Sequence, residues 1–156
     1  MPVLQPLTQW FCDSCKASIE QPEDGCLEYL QDARTDRVSD FRIIHCRPSC
    51  HSNEESIENK DKIVNDIHLD HVITYGFFGH MLNWLDLSET KKSEERVVIT
   101  EFTEIMRRLY LPYWEEARQY WQQSFKDGYH DKCSFEEDDL LRIISEYEQS
   151  GQETST

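Results

Sequence analysis

The sequence is short of several things at once. It holds 5 glycines and 5 prolines in 156 residues, and no glycine-rich loop of the kind that cradles phosphate. It has few bases: 16 Lys and Arg stand against 31 Asp and Glu, for a formal charge of −15. Residues 1–60 carry −5 of that and residues 61–156 carry −10, so neither part offers the basic footprint expected for nucleic acid or an anionic membrane. No apolar run is long enough to span a bilayer, and the opening Met1–Pro6 stretch shows no basic segment followed by an apolar one. The expectation is a cytoplasmic protein with no membrane association. No internal repeat, nucleophile–base pair or paired-acid motif is visible, so catalysis is not expected.

Against these absences stand 6 cysteines. Without a secretory signal, metal ligation is the expected use rather than a disulfide framework. Cys12-Asp13-Ser14-Cys15 has the Cys-x2-Cys spacing of a zinc knuckle, and Trp10 and Phe11 before it can shield thiolates from water. A second cluster, His45, Cys46, Cys50 and His51, offers the remaining donors. Cys12, Cys15 and Cys50 are the firm candidate ligands, and the fourth is His45 or Cys46. Strand alternation places His45 on the face of Phe41 and Ile43, and Cys46 on the face of Asp40, Arg42 and Ile44, which favours His45. Cys26 and His51 are more distant alternatives. Four protein donors, three of them thiolate, describe a closed structural Zn2+ site.

The chain around this site reads as an α+β protein. Cys26–Leu30 and Val38–Cys46 read as the strands of a hairpin with a long connection, so residues 1–52 form a zinc-ribbon-like module. Residues 53–61 read as a linker. Residues 62–148 read as a helical module of four to five helices, and 149–156 as a disordered tail. Ile63, Val64, Ile67, His71 and Val72 fit one helical face, and Phe102, Ile105, Met106 and Leu109 fit another. A further helix from Tyr113 to Phe125 gathers Tyr113, Trp114, Tyr120 and Trp121. Core packing is the ordinary use of such a face, and a partner-binding surface is the functional one.

Asp70-His71-Val72-Ile73 invites comparison with His-Asn-His nucleases, but in that class the segment normally lies between the cysteine pairs. A metal-dependent hydrolase or nuclease using His68, His71 or His80 is the alternative function. Direct nucleic-acid binding by the ribbon would have to use Arg34, Arg37, Arg42 and Arg47. The knuckle, the Phe41–His45 strand and the segment Arg107–Trp121 together resemble uncharacterised bacterial proteins that join an N-terminal zinc knuckle to a helical C-terminal half. That resemblance implies a zinc site and a bacterial or phage origin, and it brings no activity with it. The function expected is that of a zinc-stabilised interaction or adaptor protein, an acidic subunit for a basic protein partner.

Overall fold

The computed structural model describes residues 7–53, 60–85, 96–128 and 135–153. Over these residues the protein is mixed α+β, with two small antiparallel sheets and six α-helices. No helix among them is long and apolar enough to cross a membrane. The chain divides into two compact units, one from Thr8 to Tyr110 and one from Leu111 onward.

In the first unit, β1 (Trp10–Phe11) and β2 (Ser18–Ile19) form a small hairpin around the cysteine knuckle. Strands β3 (Gly25–Asp32), β4 (Val38–His45) and β5 (Lys62–His68) form a sheet in the order β4-β3-β5. The β3–β4 hairpin is the one the sequence predicts. Its connection begins where the Asp32 carboxylate accepts the backbone N–H groups of Arg34 and Thr35, each at 2.9 Å, a side-chain turn that Asp makes readily.

Strand β5 corrects the expectation of a helix starting at residue 62. Ile63, Val64 and Ile67 satisfy a helical period, but β-branched residues also suit a strand, and β3 has a second edge to cover. Pairing runs from Cys26↔His68 to Asp32↔Lys62, so β5 belongs to the same sheet as the β3–β4 hairpin. The unit Thr8–Tyr110 thus runs through the expected linker, of which 54–59 lie outside the described residues.

Helices α1 (Leu69–Val72) and α2 (Tyr75–Leu82) follow directly. Thr74 caps α2 by accepting the Phe77 N–H. Helix α3 (Ile99–Tyr110) carries the predicted apolar stripe and buries Phe102, Ile105 and Leu109, worth about 1.5–3 kcal/mol each. Phe102 meets Phe41 and Trp84 at centroid distances of 6.0 and 5.9 Å, and Tyr29 joins this cluster. Gly25 is required by a close approach: a Cβ there would lie 2.4 Å from Leu69 Cδ1, a side chain with no exposure.

The second unit holds α4 (Trp114–Arg118), α5 (Trp121–Lys126) and α6 (Glu137–Glu153). A single helix over 113–125 is expected, and two are found. The Gln119 and Tyr120 amides bond back to Glu116 and Ala117, tightening the last turn and ending α4 there. The core here is Trp114, Ala117, Leu140, Ile143 and Ile144. Helix α6 continues to Glu153, into the stretch 149–156 expected to be disordered.

Candidate metal centre

The knuckle is built by backbone geometry. The Cys12 N–H donates to Ala17 O and the Lys16 N–H to Cys12 O, both at 2.9 Å, while Lys16 takes φ 66°. This turn aims the Cys15 N–H at Cys12 Sγ, 3.5 Å away, and the His45 N–H reaches the same sulfur at 3.4 Å. After β4, the Cys50 N–H donates to Arg47 O and folds the chain back so that the Cys50 thiol returns to the knuckle. The donor atoms of Cys12, Cys15, His45 and Cys50 all lie within 4.8 Å of one another, close enough to hold one metal ion.

The surroundings of the four donors suit that task. His45 Nε2 lies 3.1 Å from the Ser18 carbonyl, which can only accept, so Nε2 carries the hydrogen. Nδ1, 3.4 Å from Cys15 Sγ, then presents its lone pair to the thiols. Arg47 donates from Nε to Cys50 Sγ and from Nη2 to Cys15 Sγ, both at 3.3 Å. The Ala17 backbone amide, with smaller contributions from Cys12, Arg47 and Cys50, lowers the exposed Cys15 thiol to about 6. Burial pushes Cys12 the other way, against the amides of Cys15, His45 and Ser14. Cys15 is therefore the readier thiolate.

Asp13, inside the knuckle, ties the centre to the fold. Its N–H donates to Ile43 O and its carboxylate accepts the Ile43 N–H, both at 2.8 Å, which closes the free edge of β4. The same carboxylate accepts Arg108 Nη1 at 2.6 Å, Arg108 Nη2 reaches Phe11 O at 3.0 Å, and Trp10 Nε1 donates to Arg108 O at 3.2 Å. Arg108 is only 3% exposed, so a guanidinium from α3 is packed beneath the knuckle. Sequence reasoning passed over it, although a base beside Ile105 in an apolar stripe is a signal for a buried ion pair.

The other candidates fall elsewhere. Cys46, weighed as an alternative fourth ligand, is disulfide-bonded to Cys26. This pair departs from the expectation that the cysteines serve metal ligation rather than disulfides. His51 Nδ1 lies 3.2 Å from Glu28, which is 1% exposed and also accepts Arg42 Nη2, the Ser52 N–H and the Ser52 hydroxyl. His68 Nδ1 sits 3.7 Å from Cys46 Sγ. His71 and His80 instead pack against Phe77, at 5.4 and 5.2 Å, and join none of the Cys/His/Asp/Glu clusters among the described residues. Trp114 is buried against Trp121 at 5.2 Å, and Tyr113, Tyr120 and Trp121 are half-buried around the same core. Cys133 lies outside the described residues. Compared with protein-family models, curated proteins and solved structures, the chain matches none of them.

Proposed function

We propose that this is a non-enzymatic, zinc-stabilised interaction protein whose acidic surface receives a basic protein partner. The observation that carries the reading is the convergence of Cys12, Cys15, His45 and Cys50, four donors that fill a tetrahedral ion and leave no position for substrate. Three thiolates and one imidazole give a bound Zn2+ a net formal charge of −1, and the two Arg47 contacts offset it. In this reading the metal holds the β1–β2 hairpin in place, while recognition lies on the surface.

The sign of the surface supports a basic partner, given −15 overall. Three of the four arginines considered for nucleic acid already face local partners: Arg34 pairs with Asp61, Arg42 with Glu28, and Arg47 with the thiols. The scatter of His68, His71 and His80 weighs against the hydrolase alternative. Tyr113, Tyr120 and Trp121 keep enough exposed area to act as short-range anchors, with Trp114 as the buried support beneath them.

The test has two arms. Elemental analysis of protein purified without added metal should find close to one zinc per chain; a folded, metal-free protein overturns the zinc assignment. Capture on the full chain followed by mass spectrometry should recover a basic protein whose binding weakens with salt. Metal-dependent DNA cleavage lost in His71→Ala would replace this reading with the nuclease one.

A further inference from the structure

A second cluster of residues that could hold a metal is gathered by β3, β5 and the chain just after β4. In register, Cys26 of β3 stands between Ile44 of β4 and His68 of β5. Cys46 is two residues beyond Ile44 and so returns to the same face. The donor atoms of Cys26, Cys46 and His68 lie within 4.8 Å of one another, as those of the first centre do. Asp66, two residues before His68, places Oδ2 4.0 Å from Cys26 Sγ. Cys46 and His68 line a cavity of about 510 Å³, whose wall also carries Glu20, Glu23 and Asp24 and, on the side of the first centre, His45 and Arg47.

A disulfide alone would not require an imidazole 3.7 Å from one of its sulfurs or a carboxylate beside the other. Two cysteines and a histidine in one cluster are a soft donor set suited to zinc-class ions. We propose that Cys26, Cys46 and His68 form a second metal site, closed by the Cys26–Cys46 disulfide and opened by its reduction. Three protein ligands hold the ion, and the remaining position faces the cavity, where three acidic side chains stand against the one guanidinium of Arg47.

The chemistry balances with an external thiol or phosphine as reductant. A dithiol gives up two electrons and two protons and becomes a disulfide, or a phosphine takes the oxygen of one water, whose two protons go to the sulfurs, and becomes a phosphine oxide; either leaves Cys26 and Cys46 as thiols. Binding a divalent ion then displaces those two protons. In the reverse direction a small-molecule disulfide accepts two electrons from the pair, the Cys26–Cys46 bond re-forms, and the ion is released with His68 as its one remaining ligand. The proposal stands apart from the interaction function, because the first centre is counted separately in oxidised protein.

Zinc stoichiometry of the full chain is measured after gel filtration, once oxidised with glutathione disulfide and once reduced with a trialkylphosphine. The expected result is one equivalent more in the reduced protein. Cobalt(II) loading of the reduced form should add thiolate-to-metal charge-transfer absorbance that the oxidised form lacks. Cys46→Ser should abolish the increment. His68→Ala keeps both cysteines, and should also lose the increment while circular dichroism is unchanged. Equal stoichiometry in both redox states, or an increment that survives either substitution, overturns the proposal. An increment from zero to one would retain this site and remove the first.

Discussion

Glu28 and Glu116 are both buried acids, and they push stability in opposite directions with pH. Burial raises the Glu28 carboxyl, but the Ser52 amide, Arg42 and the Ser52 hydroxyl together outweigh it and hold the group below its ordinary value of 4.5. Its contribution is therefore complete above pH 4.5 and lost as pH falls through the lowered value. Burial raises Glu116, its own backbone amide offsets only part of this and the nearby Glu115 charge adds to it, and its Oε1 has no hydrogen-bond partner among the described residues. Its contribution is present in acid and lost as pH rises through the raised value. Glu28→Gln should cost on the order of 3 kcal/mol at neutral pH, since the Arg42 guanidinium loses its counter-charge. Glu116→Gln should stabilise by on the order of 1 kcal/mol at neutral pH, with the gain shrinking in acid. Urea midpoints at pH 4 and pH 7 check both signs. Gly25→Ala should cost about 1–3 kcal/mol, because the added methyl meets Leu69 and Ile19 in a filled core; the same urea titration measures it.

At the scale of elements, the knuckle and the three-stranded sheet depend on each other. The β1–β2 hairpin has two residues per strand, too little to persist by pairing alone, and is held by Asp13, Arg108 and the clustered Cys12, Cys15, His45 and Cys50. Cys12→Ser should release it, exposing the backbone near Trp10–Ile19 to protease. The unit from Leu111 onward has its own core around Trp114, Leu140 and Ile143, so its helices should survive. Limited proteolysis with circular dichroism reads both; wholesale loss of helix would show one cooperative core. Which elements form was only partly legible. The β3–β4 hairpin and α3 carry clean periods, and they are where the pattern puts them. Strand β5 was illegible because Ile63, Val64 and Ile67 fit two periods, and only the edge of β3 decides between them. Alternation within β4 separates His45, which lies among the Cys12, Cys15 and Cys50 donors, from Cys46, since it is a local property of the strand. The partner of Cys46 was out of reach, because it is fixed by register across strands.

At the scale of the whole molecule, charge should govern how the protein meets a partner. Opposite charges steer encounter, and salt screens them over about 8 Å at physiological ionic strength. The association rate with a basic partner should therefore fall as salt rises, measured by surface plasmon resonance across a salt series. A rate indifferent to salt would leave −15 as a feature of solubility alone. The sequence by itself determined this charge, the mixed α+β composition, the knuckle turn and the separation of His45 from Cys46 along β4, because each is set by residue type or by spacing within one segment. Only the tertiary structure decided the rest. Arg108 reaches Asp13 from α3, Glu28 gathers Arg42, His51 and Ser52, and Cys26 faces both Cys46 and His68. Each of these is a meeting of segments brought together by sheet register and helix packing, and no pattern along a single segment encodes it.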